Sequence, residues 1–192
     1  MSDWEDELRD RFLAELESAD AEALARLIGE AAAPASLKAK LLANATLEGR
    51  FDRHAGAVAE LLNLSEARAK ELLDGIGRTE SWEPSPIPSV ELFHIEGGPG
   101  TENAITGFVR IAAEAGFPPH EHLGAEAVLI LQGSVKDLVS GAIHRPGDVA
   151  RMAEGTAHEL LARPGPDLVY LSVVQTGVSI GGRVFGPHDA DL

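Results

Sequence analysis

One change in the spacing of apolar residues divides this chain and limits the folds open to it. Up to residue 80 the spacing is helical: Leu8, Phe12 and Leu16 recur every fourth residue, and Leu24, Leu27 and Ile28 continue the stripe, as one face of an α-helix requires. Ser2 and Glu5 have the capping-box spacing that starts a helix. Ala33-Pro34-Ala35-Ser36 interrupts the stripe; Leu37, Leu41 and Leu42 then mark a second helix, and Val58, Leu61 and Leu62 a third. Ser65 reads as the N-cap of a fourth, bearing Leu72, Leu73 and Ile76 and stopped by Gly77, because a serine oxygen accepts the first free N–H groups of a helix.

Between Glu80 and Ser89 three prolines fall within five positions, the composition of a linker. Beyond it the apolar runs become short and are separated by Gly97–Gly100, Gly116-Phe117-Pro118-Pro119, Pro146-Gly147 and Pro164-Gly165-Pro166. Strands are predicted at 90–95, 105–112, 125–131, 148–152, 158–162, 167–174 and 183–185. Many short strands at about ten-residue spacing indicate a β-sandwich or jelly-roll barrel. The expected organisation is a small all-α domain over 1–80, a proline-rich linker over 81–89, a mainly β barrel domain over 90–186 and a tail over 187–192.

Charge narrows the partners. Sixteen basic against thirty-one acidic side chains give a net charge of −15, and both halves are acidic. Such a field repels phosphate backbones and anionic lipid, so direct nucleic-acid and membrane binding are not expected. The helices near 51–76 could imitate a helix-turn-helix, but without clustered Arg or Lys a plain helical core is favoured. No run approaches the roughly 18 apolar residues that span a bilayer, and Met1-Ser2-Asp3-Trp4-Glu5 has no signal-peptide character; the expected location is the cytoplasm. The chain has no cysteine, so thiolate metal sites are excluded and any metal must be held by nitrogen and oxygen.

A set of such ligands is present. His120 and His122 alternate in an extended segment and so face one side, and Glu126 shares their parity. His158 follows the turn-forming Gly155-Thr156-Ala157. A His-x-His pair alone is weak, and a lone histidine is more often structural than ligating. Joined, the residues form H-x-H-x3-E-x6-G ending at Gly133, then G-x7-G-x2-H from Gly147 to His158. Three imidazoles and one carboxylate suit a divalent ion; zinc is the first expectation, and nickel, iron, manganese or copper also fit. His94, His144, His54 and His188 lie outside these elements, while Tyr170, Gln175 and Glu154 are within reach of a barrel pocket. Trp4 and Trp82 read as packing residues. No nucleophile-and-base arrangement stands out, so no catalytic residue is assigned.

These two elements resemble the paired motifs of the cupin superfamily. The departures are Glu114 where a glycine is usual, Ala153 for proline and Ala162 for asparagine, none at a ligand position. The segments Phe93-His94-Ile95-Glu96-Gly97-Gly98-Pro99, Gly107-Phe108-Val109-Arg110, Phe117 to Gly124 and Arg145-Pro146-Gly147-Asp148 are similar to the cupin domain of ChrR-type anti-sigma factors, and residues 33–42 are similar to its preceding helical part. The resemblance implies a metal held by His120, His122, Glu126 and His158, and a helical domain that captures a sigma factor or another regulator. That family's helical domain carries a zinc site with a C-x2-C pair, which a cysteine-free chain does not carry over. The leading expectation is a regulatory or stress-sensing protein with a protein partner and a small-molecule ligand in the barrel. The alternative is a small metal-dependent dioxygenase or isomerase. Sheet edges that need covering suggest a homodimer.

Overall fold

The protein is described by a computed structural model over residues 49–187 and residue 189. The helices expected before residue 49, Trp4 and His188 lie outside these residues. Two helices, α1 (Ala55–Leu62) and α2 (Glu66–Gly75), precede the strands. The strands are β1 (Glu83–Pro84), β2 (Val90–His94), β3 (Ala104–Ile111), β4 (Gly116–His122), β5 (Glu126–Gln132), β6 (Val135–Asp137), β7 (Ile143–His144), β8 (Val149–Met152), β9 (Ala157–Ala162), β10 (Leu168–Gln175), β11 (Val178–Ile180) and β12 (Arg183–Phe185). They form two six-stranded sheets, ordered β1-β2-β3-β10-β5-β8 and β12-β11-β4-β9-β6-β7, with every pairing antiparallel. The fold is the mainly β jelly roll preceded by helices that the sequence predicts.

Period-two alternation gives the first sheet two apolar faces. Leu92, Val109, Ile111, Val128, Ile130 and Leu168 point between the sheets and pack with Val135, Leu160 and Ala162 of the second. The alternate residues Phe108, Leu129, Leu131, Val169 and Leu171 point outward, where they share one core with Val58, Leu62, Leu72 and Leu73 of the helices. The helices therefore cover the outer face of this sheet.

Polar contacts fix the cover. Ser65 caps α2 by accepting from the Arg68 N–H at 3.2 Å. At the other end, the Trp82 indole N–H and the Arg110 guanidinium both donate to the Ile76 carbonyl, at 3.0 and 3.2 Å. Arg110 lies 4.0 Å above the Trp82 ring and pairs with Glu91 at 3.0 Å. The Gly97–Gly100 turn docks on the end of α1, where Gly98 N–H donates to the Leu62 carbonyl at 2.7 Å. A Cβ on Gly98 would stand 1.9 Å from the Asn63 carbonyl oxygen, so only glycine fits.

The proline-rich segment 81–89 is drawn into the sheet: Trp82 is buried and β1 pairs with β2. A second stretch expected to break structure, Gly116 to Pro119, runs as the first half of β4. The register shifts between Phe117 and His120, and β11 pairs with β4 only at His120 to His122. Pro118 and Pro119 thus sit in a bulge where no N–H is asked of them. Glu114 stands in the turn before β4 at φ 64, the left-handed conformation that explains why a glycine is usual there.

Candidate metal centre

β4 and β9 pair so that His120 stands directly opposite His158, and the two-residue period turns His122 to the same side as His120. Glu126 enters from β5 of the other sheet. The four residues expected from the sequence are thus brought together between the sheets, at exposures of 7%, 0%, 7% and 6% for His120, His122, Glu126 and His158. One ligand atom from each lies within 4.8 Å of all the others, and the cluster could bind a metal ion. Ligands about 2.1 Å from a common ion stand roughly 3 to 4 Å apart, so little contraction is needed.

The partners of the outward-facing nitrogens settle which nitrogen each ring offers. His120 Nδ1 faces the Pro118 carbonyl at 3.0 Å; a carbonyl only accepts, so Nδ1 carries the proton. The Thr156 hydroxyl donates to the Ala153 carbonyl at 2.6 Å, leaving its oxygen to accept from His122 Nδ1 at 3.0 Å. His158 Nδ1 faces the Asp137 carboxylate at 3.5 Å. Burial pushes the Asp137 carboxyl up, but the Ser140 and Val139 N–H groups outweigh it and hold the group below its ordinary value. All three rings therefore bear hydrogen at Nδ1 and turn an Nε2 lone pair inward, the arrangement that an acceptor behind the ring imposes on a histidine that holds a metal.

Those lone pairs converge without a proton between them. His158 Nε2 and His120 Nε2 are 2.9 Å apart. His122 Nε2 lies 2.9 Å from Glu126 Oε2, yet neither buried atom has a hydrogen-bond partner. Ser172 donates to the other carboxylate oxygen, Oε1, at 2.7 Å. Burial drives the His120 pKa down to about 4, against the opposing pull of the Pro118 carbonyl. His158 is lowered as well, chiefly by burial and despite Glu126. Burial raises the Glu126 carboxyl, but contact with His122 and the Ser172 hydroxyl outweighs it, so the group stays ionised. Neutral imidazoles and a carboxylate aimed at one point are what a divalent cation requires.

A cavity of about 70 Å³ adjoins the cluster, with His120, Glu126 and His158 in its wall. Its lining is otherwise mostly apolar, including Leu92, Phe117, Val128 and Leu160. Tyr170 and Ser172 reach it from β10; burial, then the Glu126 charge, pushes the Tyr170 phenol up, so it stays protonated. His94 stands at the rim, and His144 lines a smaller space of about 20 Å³ behind His158. Neither joins the cluster. Glu154 is exposed and Gln175 ends β10. His54 is buried beside α1, where it accepts from Arg53 Nε at 3.0 Å. The outer partners Thr156, Asp137 and Ser172 were not singled out from sequence. Only Ser172 had a signal, its period-two relation to Tyr170.

No curated protein matches the chain. The complex of Rhodobacter sphaeroides SigE with the anti-sigma ChrR is 20% identical, covering 88% of this chain and 83% of that one, with a TM-score of 0.48. An acetylacetone dioxygenase from Acinetobacter johnsonii is 14% identical over 57% of this chain and 81% of its own, with a TM-score of 0.48. An RmlC-like cupin protein from Ralstonia eutropha is 20% identical over 55% and 73%, with a TM-score of 0.47. The profile described as "ChrR Cupin-like domain" matches residues 78–176, just over half of the chain and all four clustered residues, and the chain belongs to that family.

Proposed function

We propose that His120, His122, Glu126 and His158 hold one divalent metal ion and that the chain is a regulatory, stress-sensing protein of the ChrR type. One observation carries the metal reading: three imidazoles, each with its Nδ1 engaged outward, turn unprotonated Nε2 atoms onto each other and onto Glu126. A cation relieves that arrangement. Zinc is proposed first, with nickel, iron and manganese as alternatives. When bound, such an ion supplies a Lewis-acidic centre for an oxygen of a small molecule in the cavity. The regulatory reading is supported by family membership. Apart from the cluster, Tyr170 and His94 are the ionisable side chains lining the cavity.

The proposed protein partner is a sigma factor or another regulator, met through residues 1–80; the net charge of −15 suits a basic face on it. Metal analysis of untagged protein beside His122→Ala and Glu126→Gln tests the centre. Stoichiometric metal in the parent and its loss in both variants are expected, and an equal content in all three would refute the ligand set. Pull-down under resting and stressed conditions tests the partner; a clean result in both would overturn it.

The cavity wall formed by His120, Glu126 and His158 favours one second reading, a small-molecule dioxygenase or isomerase. Iron or nickel in the purified protein with turnover of a diketone would support it, and stoichiometric zinc without turnover would count against it. A homodimer is proposed through the edge strands β8 and β12, where Val149 and Val184 stay exposed. Sedimentation as a monomer at high concentration would remove it. Among the described residues no helix is long and apolar enough to cross a membrane.

A further inference from the structure

Among the hydroxyl groups that line the cavity beside the cluster, one has no hydrogen-bond partner among the described residues. Ser172 spends its hydroxyl on Glu126. The Thr106 hydroxyl donates to the Ile95 carbonyl, and the Ser85 oxygen accepts from the Ile87 N–H. Tyr170 is different. It is 4% exposed and lines both the main cavity and the smaller space behind His158. Its hydroxyl makes no hydrogen bond with any described residue, although a buried phenol normally finds a partner. Phenylalanine would fill the same position in the wall, so the hydroxyl is left for a molecule in the cavity.

We propose that the cavity binds a small, uncharged, largely apolar molecule bearing a carbonyl oxygen, and that the Tyr170 hydroxyl is the donor that recognises this oxygen. Three features select the class. The neutral hydroxyl donates, so it calls for an acceptor. The apolar wall of Leu92, Phe117, Val128 and Leu160 favours hydrocarbon around that acceptor. Among the described residues no Lys or Arg lines the cavity, so no basic side chain there pairs with an anion. A cavity of about 70 Å³, against the roughly 10–15 Å³ that one water needs on the same measure, holds a molecule of only a few heavy atoms. Selection follows from the pairing. An analogue without the oxygen would leave the hydroxyl unpaired, which a site discriminates against far more strongly than a missing methylene.

The inference shares the cavity with the proposed metal centre but stands on the wall and on Tyr170, and the test separates the two. Tyr170 is the only tyrosine, so full-length protein labelled with 3-fluorotyrosine gives a single 19F resonance. Titrating the metal-loaded protein with cyclopentanone should shift that resonance saturably. In unlabelled protein Tyr170→Phe should weaken cyclopentanone binding about five- to tenfold, with metal content and melting temperature unchanged. A resonance unmoved up to the solubility limit, or equal affinity in Tyr170→Phe, overturns the proposal. Should Tyr170→Phe fail to fold, the wild-type titration decides alone. Metal content, measured on the same samples, fails independently: protein without metal that still shows Tyr170-dependent binding would sink the metal centre and leave the carbonyl site standing. Metal-bearing protein without binding would do the reverse.

Discussion

At the scale of single residues, the four clustered residues and the groups that aim them differ in how far the sequence betrays them. The spacing of His120, His122 and Glu126 follows from the two-residue period of one extended segment, and His158 from a glycine turn, so the set could be read directly. Thr156 and Asp137 could not, because each reaches its ring only after β4, β6 and β9 have been paired; the Pro118 carbonyl is two residues from its ring, but the bulge that turns it there was not legible. They nevertheless fix the tautomers. Thr156→Val removes the acceptor for His122 Nδ1 at an exposed position. It should lower metal affinity about 10–100-fold with little change in apo stability, as competition with a chromogenic chelator would measure. Wild-type affinity in that variant would deny the hydroxyl its orienting role. The same cluster sets a pH dependence. Burial takes the His120 pKa from its ordinary 6.5 down to about 4 in the folded chain, so between these values the unfolded chain binds the extra proton. Stability therefore falls as pH drops through that window, and this one residue contributes a loss on the order of 3 kcal/mol by pH 4. His158, also lowered, acts in the same direction. Glu126, held below its ordinary value, adds a further loss at still lower pH. Metal-free protein should melt at progressively lower temperature from pH 6.5 to 4, and a flat profile would contradict the burial of neutral imidazoles.

Among the elements, those with a strong period were legible and those defined by a partner were not. β2, β3, β5, β9 and β10 carry enough apolar residues to be read within a residue or two of their ends. β6, β7 and β11 are two or three residues long and exist only through pairing. β4 was masked by chemistry: Phe117-Pro118-Pro119 reads as a breaker, and only the bulge that excuses the prolines from donating lets a strand pass. The seam between α1 and the Gly97–Gly100 turn is of the same kind, since the glycines announce a turn but not what it rests on. With Asn63 backbone 1.9 Å from the position of a Gly98 Cβ, Gly98→Ala must move either the turn or the end of α1. A loss on the order of 2–3 kcal/mol is expected, or about 5–10 °C in melting temperature. The neighbouring Gly100, whose Cβ position is open but whose φ is 95, should cost less as Gly100→Asn, since asparagine tolerates that region. Calorimetry on the two variants ranks them, and equal melting temperatures would remove the close approach as the cause.

For the whole molecule, the helices and the barrel share a core, and this sets how much chain the barrel needs. Phe108, Leu129, Leu131, Val169 and Leu171 lie on the outer face of the first sheet and are buried by Val58, Leu62, Leu72 and Leu73. Each such side chain contributes about 1.5–3 kcal/mol when removed from water, so uncovering the five withdraws roughly 10 kcal/mol as an upper estimate. That is comparable to the entire net stability of an ordinary domain, about 5–15 kcal/mol. The exposed face would also be a contiguous apolar patch of the kind that drives association. A chain beginning at residue 78, where the family match begins, therefore lacks α1 and α2 and should aggregate or fail to fold, although it holds all four clustered residues. One beginning at residue 49 keeps both helices, Trp82 and the Ile76 carbonyl that Trp82 and Arg110 share. It should melt in a single cooperative transition, with the helical far-ultraviolet signal and the Trp82 fluorescence lost together. A soluble, metal-binding chain from residue 78 with an unchanged melting temperature would mean that the helices are an appendage. Coincident transitions would mean instead that anything moving α1 or α2 is felt in the sheet whose inner face carries Tyr170 and Glu126.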